Sequence, residues 1–391
     1  MHRIILNILL ISVFSGSFTS TVHSEEPNSI SKPNVLAEFK IDDVERLGCI
    51  LLPVKFDGEE YKFLLDTGCT DILCDTSFKA KLGRRKGIRT DGTTPGGEIV
   101  AESYDAPEAF LGPFDLQECG EVLCYDLNYC SQAIGRKIHG IIGMNFLKKY
   151  VVQIDFDRKT LSFIKAKSDM ERDWGVEVPI IYGRIERPLV RANVLGSIKT
   201  YFFIDTGASE SGGLDSAILE YILLEHNIRI VGRMSIAASG ARRTRVFRID
   251  RLSLGELEYK DLVFSERQNG SSLGLDFWSR HTVTFDFPNS KVYLKKGKDF
   301  HRITELDMSG LYFRRIADKT VVVRAIPDSP AGKAGIKEGD IILDIMGKEA
   351  DSYETWEIAK LLKSEDKRQI RMTIKRGNEI KKVSFLLEKV I

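Results

Sequence analysis

Two aspartates in this chain share one local context, Asp66-Thr67-Gly68 and Asp205-Thr206-Gly207. Each triplet comes after an apolar run, Phe63-Leu64-Leu65 in one case and Tyr201-Phe202-Phe203-Ile204 in the other. They are 139 residues apart, about the length of one small domain. Two carboxylates held close cannot both ionise, so a pair that meets shares a proton. One can then act as a base on water while the other donates to a carbonyl oxygen, the chemistry of peptide-bond hydrolysis. One Asp-Thr-Gly is weak support, because the tripeptide often marks only a turn. The doubled one gains its force from the matched segments downstream of each copy.

The segments that must position these aspartates are also written twice. The first copy continues with Leu111-Gly112, then Gly140-Ile141-Ile142-Gly143, then Val152-Gln153-Ile154-Asp155-Phe156. The second continues with Leu254-Gly255, then Ser271-Ser272-Leu273-Gly274, then Val283-Thr284-Phe285-Asp286-Phe287. The offsets are 139, 143, 131 and 131 residues in unbroken order. The stretches between alternate apolar and polar residues and carry Gly, Asn and Asp turn signals, which predicts strands and hairpins. Asp157–Thr160 and Pro288–Lys291 are equivalent hairpin turns. The expected fold is therefore mostly β, with one lobe over 39–168 and a second over 169–300. Between aspartate and later glycine strand, each lobe has a small-residue loop able to close over a substrate or to be an ordinary surface hairpin. Gly96 and Gly97 mark the first, Ser239 and Gly240 the second.

From about His301 the pattern changes. Val321–Val323 predicts a strand, Ser329-Pro330-Ala331 opens a short helix ending at Gly335, and Ile341–Ile345 is a strand after the turn Gly339-Asp340. Tyr353–Lys363 predicts a helix from its apolar spacing. Two strands, 370–374 and 382–387, close the chain around the turn Arg376–Asn378. This region, 301–391, is expected to be a third, α+β domain.

The length of 391 residues suits several domains, and an apolar fraction of 43 % can fill their cores. A net charge of +1 gives no reason to expect nucleic acid as a partner. Arg242-Arg243-Thr244-Arg245 is the local exception, either a solvated hairpin or a preference for acidic substrate. Residues 1–24 read as an export signal: His2-Arg3, an apolar stretch from Ile4 to Phe18, and Val22 and Ser24 before the cut. The apolar stretch is short for a membrane span, so no stable span is expected after cleavage. Residues 25–38, with Pro27 and Pro33, read as a flexible leader too short for a large pro-segment. Six cysteines, Cys49, Cys69, Cys74, Cys119, Cys124 and Cys130, permit disulfides whose pairing the spacing does not choose. They do not match a zinc pattern. Cys69, directly after the first triplet, is placed to be a free thiol in the cleft, whereas His139 reads as a packed or surface residue.

With both triplets and both glycine strands in view, the first 300 residues resemble aspartic peptidases of the pepsin and retropepsin kind. The resemblance implies a two-lobed β fold of tandem retropepsin-like lobes, with Asp66 and Asp205 as the catalytic pair. It makes Thr67 and Thr206 the hydroxyls that brace the two loops across to each other, and Gly68 and Gly207 the loop glycines. Ile142-Gly143 and Leu273-Gly274 become the strands beneath them. No metal or cofactor is implied, and one chain supplies both halves, so activity as a monomer is expected. In pepsin-like enzymes a Ser or Thr commonly comes after the triplet; here Cys69 and Ala208 do, as Ala does in retropepsins. Losing that hydroxyl should raise the carboxylate's pKa and make the pH optimum less acid. Ser272 is a polar departure in the second glycine strand.

The last 85 residues or so resemble a PDZ domain of bacterial envelope peptidases. Ser309–Phe313, Ile326–Gly335 and Glu338–Ile342 carry that likeness. It implies strand-like binding of a chain end, with Gly310, Leu311, Tyr312 and Phe313 as the carboxylate loop, although Tyr312 stands where many relatives have Gly. No Gly-Asn-Ser-Gly-Gly or His-Glu-x-x-His segment is present to offer a serine or zinc mechanism. The expectation is an exported aspartic endopeptidase, in a bacterial periplasm or cell envelope or secreted, acting on polypeptides. The alternative is a catalytically inactive peptide-binding envelope protein.

Overall fold

The computed structural model of the chain describes residues 35–391 except 43, 95–96, 166–172, 184–185, 238–239 and 317. The export signal thus lies outside the described residues, as do Gly96 and Ser239 of the expected flaps. Part of the expected leader is ordered structure, since the strand Val35–Lys40 pairs with Thr160–Ile164. The fold is mostly β, as the alternation predicts.

In the first lobe the strand Glu59–Leu65, which delivers Asp66, runs antiparallel to Leu51–Phe56 and parallel to Gly140–Ile142. The second lobe repeats this. Ile198–Ile204, which delivers Asp205, runs antiparallel to Pro188–Val194 and parallel to Ser271–Leu273. Both glycine strands are three residues long and wholly buried, as strands covered on both faces must be. Pro188–Val194 alternates instead, with Val190, Ala192 and Val194 turned into the core. That strand also pairs with Leu252–Leu254, which curls the sheet back on itself.

A six-stranded sheet joins the lobes, in the order 35–40, 160–164, 151–155, 281–286, 291–296 and 176–179. At its centre Gln153 lies opposite Thr284, and its Nε2 donates to Thr284 Oγ1 at 2.8 Å. Positions 153 and 284 are equivalent in the two copies. Equivalent residues meeting face to face is the signature of a two-fold relation between the lobes. One continuous apolar cluster, with Phe163, Phe202, Phe264, Trp278 and Phe285, runs through both.

The third domain is a separate sheet, and its own core includes Val322, Ile342, Ile345, Ile358 and Ile374. Its helices are Pro330–Lys333 and Thr355–Leu361, and its last strands are Gln369–Arg376 and Glu379–Leu386. The connection to it is pinned to the second lobe. The buried Asp276 carboxylate accepts from Arg302 Nη2 at 2.7 Å and Thr304 Oγ1 at 2.8 Å. Burial alone would push this carboxyl up, but Arg302 and Arg280 beside it hold it below its ordinary value.

Candidate active site

Each aspartate sits where a strand ends against a glycine strand. Asp66 N–H donates to Ile142 O at 3.1 Å, and Asp205 N–H donates to Leu273 O at 3.0 Å. Gly143 and Gly274 come directly after those carbonyls. A Cβ at Gly143 would lie 2.2 Å from Asp71 O, and one at Gly274 would lie 2.2 Å from Glu210 O, so any side chain there would push the aspartate loop out of place.

The threonines brace the loops to each other, as the resemblance implies. Thr67 N–H donates to Thr206 Oγ1 and Thr206 N–H to Thr67 Oγ1, both at 3.0 Å. Each hydroxyl then donates onward, Thr67 to Ile204 O at 2.8 Å and Thr206 to Leu65 O at 3.1 Å. Both side chains are buried, so these bonds are made without competition from water.

The loop glycines let the carboxylates converge. A Cβ on Gly207 would lie 2.3 Å from Asp66 Cγ. A Cβ on Gly68 would lie 2.8 Å from Asp205 Oδ1 and 3.1 Å from Asp66 Oδ1. The two oxygens are thus no further apart than the sum of those distances, close enough for one water or substrate oxygen to touch both. Gly68 N–H donates to Asp66 Oδ1 at 2.8 Å and Ala208 N–H to Asp205 Oδ1 at 3.1 Å. Asp66 is pushed up to about 7, chiefly by burial and then by the charge of Asp205.

The second oxygen of Asp205 has a partner that no motif announced. Arg267 Nη1 lies 3.0 Å from Asp205 Oδ2, with both side chains largely buried. The same nitrogen donates to the Ser272 hydroxyl. The sequence reading leaves this carboxylate short of a hydrogen bond because Ala208 lacks a hydroxyl; in the structure a guanidinium takes that oxygen. The expected general rise therefore has its structural support at Asp66. The available signal for Arg267 was the pair of small residues it lies across, Gly213 and Ser272, where the first lobe has Leu73 and Ile141. Arg187 also acts on Asp66, lowering it, and lies over the Phe203 ring at 5.7 Å.

All six cysteines are free thiols. The Cys69 thiol donates to Asp71 O at 3.2 Å, away from the carboxylate, and burial pushes it up. Burial likewise pushes Cys130 up to about 11, with the charge of Asp66 adding to it. These thiols stay protonated and are poor nucleophiles. His139 is packed against the rings of Tyr61 and Phe78, and its Nδ1 accepts from Lys62 N–H. Arg245 is matched by Glu220 and Glu266, which removes it as a free cation for acidic substrate, while Arg243 is exposed. Among the described residues no group of three or more His, Cys, Asp or Glu could hold a metal ion.

Both expected flaps fall at the tips of hairpins. Arg85–Thr94 pairs with Gly97–Asp105, and Ile230–Ala237 pairs with Gly240–Leu254, with Gly97 and Gly240 at the described tips. The strand Ile230–Ala237 meets the first lobe's helix Asn128–Ile134, so the second hairpin reaches across toward its partner lobe.

In the third domain, Gly310 takes φ +74°, and Leu311 to Phe313 lie in the strand Leu311–Ile316 at the sheet edge. The expected carboxylate loop is thus one glycine turn leading into an edge strand. Its amides already have a carboxylate: Ser309 N–H and Gly310 N–H donate to Asp307 Oδ1 at 3.0 and 2.7 Å. Leu311 N–H donates to Ser309 Oγ at 3.1 Å. Burial pushes Asp307 up despite these bonds.

Comparison with known proteins agrees with this architecture. A family model described as aspartyl protease matches residues 52–146, which include Asp66 and Gly143. A second, described as PDZ domain, matches residues 321–376. The chain therefore carries an aspartyl protease-like domain and a C-terminal PDZ domain. Among curated proteins, serine protease HTRA1 of Xenopus laevis is 47 % identical over 58 residues, 15 % of this chain. HTRA1 of Xenopus tropicalis is 43 % identical over 58 residues. The chain spans 12 % of the length of each. Among solved structures, basic 7S globulin from soybean is similar over 70 % of this chain and 98 % of its own, at 12 % identity and a TM-score of 0.39. The photosystem II D1 C-terminal processing protease is similar over 24 % of this chain and 26 % of its own, at 21 % identity and a TM-score of 0.22. Neither structural likeness carries weight at such scores.

Proposed function

We propose that this chain is an aspartic endopeptidase in which Asp66 and Asp205 share one proton and activate water against a peptide carbonyl. The observation that carries this reading is the meeting of two carboxylates from equivalent loops, each tucked against the other loop's glycine. Asp66, pushed up by burial, is the member that keeps its proton near neutrality. Water attacks the carbonyl carbon, giving a proton to Asp205 while Asp66 protonates the carbonyl oxygen. The tetrahedral diol then collapses: the C–N bond breaks, the proton on Asp205 passes to the leaving nitrogen, and a diol proton returns to Asp66. No covalent enzyme intermediate forms. One chain supplies both loops, so the proposal includes activity as a monomer. It also includes export directed by residues 1–24, and strand-like binding of a polypeptide segment or chain end at the edge strand Leu311–Ile316.

The test is cleavage of an unfolded protein by the purified full chain from pH 3 to 9, beside Asp66→Asn and Asp205→Asn. A bell-shaped profile abolished by either change is expected. A folded wild type that binds unfolded chains and cuts none at any pH would replace this reading with peptide binding alone.

A further inference from the structure

We infer that Arg267 is a positioning residue of the dyad: it holds the second oxygen of Asp205, keeps that carboxylate as the anion, and leaves the shared proton to Asp66. This rests on the peptidase reading above and goes beyond it, because it assigns unequal roles to two aspartates in matching loops.

The first ground is geometry. Asp205 Oδ1 is taken by Ala208 N–H and Oδ2 by Arg267 Nη1, so both oxygens are fixed. Asp66 is held from the backbone, by the N–H groups of Gly68 and Cys69, while the Cys69 thiol turns to Asp71 O; Asp205 has a guanidinium as well. The second ground is how the second lobe makes room. By the paired registers, Leu64, Leu73, Leu123 and Ile141 of the first lobe correspond to Phe203, Gly213, Ser265 and Ser272 of the second. The first-lobe four lie in one apolar cluster. Three of their four counterparts are smaller, and two of those are hydroxyls. The Arg267 side chain runs through the space released, so that a Cβ on Gly213 would lie 2.1 Å from Arg267 Cδ. The ladder position of Arg267, opposite Asp215, is held in the first lobe by Tyr125, opposite Asp75. One lobe has an apolar floor and the other a guanidinium aimed at its aspartate. A buried guanidinium with a charged acceptor and a hydroxyl acceptor is a built arrangement, since an unpaired one would be costly.

The charges around the pair come from both lobes. The first contributes Asp66 with the protonated thiols of Cys69 and Cys130, and the second contributes Asp205, Arg267 and Arg187. Glu266, next to Arg267 in sequence, is engaged by Arg245. Removing the cation at Asp205 makes every anionic state of the pair harder to reach, so both limbs of the pH profile should move to higher pH.

The experiment compares the wild-type chain with Arg267→Met, Arg267→Lys and Gly213→Ala. One arm measures the pH dependence of kcat and KM on an unfolded protein substrate. The other measures the side-chain carboxyl signals of carbon-13-labelled aspartate, assigned with Asp66→Asn and Asp205→Asn. Arg267→Met is expected to raise the pair's apparent pKa values by about one to three pH units. Its kcat should fall at least tenfold below pH 6 while KM changes less than threefold. Arg267→Lys should restore part of the profile, and Gly213→Ala, which displaces the side chain, should move it the same way as Met. Limbs and carboxyl titrations that stay within 0.3 pH unit in a folded Arg267→Met variant would overturn the inference. So would a variant faster than wild type at every pH, which would make Arg267 an obstruction. If the wild type cleaves nothing, the peptidase reading fails, and the carboxyl titration still decides whether Arg267 sets the charge of the pair.

Discussion

Replacing Asp66 by Asn should abolish cleavage and yet make the peptidase lobes more resistant to heat at neutral and alkaline pH. In the unfolded chain this carboxyl titrates near 3.8, and in the fold it is pushed up to about 7 by burial and by Asp205. Between those values the folded state binds the proton and the unfolded state has lost it, so stability falls as pH rises through that window. The contribution is full below pH 4 and gone above about pH 7. At 1.36 kcal/mol per pH unit, ionising this group in the fold costs about 4 kcal/mol at most, and about half that where Asp205 shares the load. Asparagine stays neutral and can still accept Gly68 N–H. The variant should therefore be more stable than wild type by about 2–4 kcal/mol at pH 8. With about 2–4 °C per kcal/mol for a body of this size, Tm rises by about 4–16 °C. The gain should shrink steadily on acidification and vanish by about pH 4. Calorimetry of both proteins from pH 3.5 to 8 reads it directly. A Tm difference independent of pH, or a less stable variant at pH 8, would refute a buried carboxyl that prefers its proton.

Two further contacts give outcomes of their own. Thr206→Val removes the acceptor of Thr67 N–H and the donor to Leu65 O in a buried site. It should cost about 2–4 kcal/mol by denaturant unfolding and lower kcat far more than it raises KM; unfolding within 0.5 kcal/mol of wild type would exclude the bracing role. Asp307→Ala frees the amides of Ser309 and Gly310 in the glycine turn. By fluorescence anisotropy the full chain should then bind a peptide with a free C-terminal carboxylate about tenfold more tightly, as expected when one charge-assisted contact is no longer pre-empted. Unchanged binding would mean that these amides do not face the ligand.

Much of the peptidase body was legible because its constraints are local and repeated. Asp-Thr-Gly after an apolar run, and a short strand ending in an aliphatic residue and glycine, report turns and buried strands in both copies. Their matched offsets pointed to two equivalent lobes, and the meeting of Gln153 with Thr284 bears this out in space. The short helix from Pro330 and the closing strands of the third domain were readable for the same reason. The strand Val35–Lys40 was less so, because its polar flank with two prolines resembles a leader until Thr160–Ile164 is beside it.

By itself, then, the amino-acid order determined the duplication, the two aspartates, the glycines that let them approach, and the separate third domain. Each of these is written in residues adjacent in the chain or in a periodic pattern. Only the tertiary structure decided which aspartate is treated differently. Arg267 is 62 residues from Asp205 and reaches it because Leu257–Arg267 runs parallel to Gly212–Asp215, across space that Gly213 and Ser272 leave open. It likewise decided that Asp307 fills the glycine turn's amides and that the Cys69 thiol turns away from Asp66. A side chain's partner across a sheet depends on register and on the volume its neighbours give up, and neither is carried by the three or four residues around it.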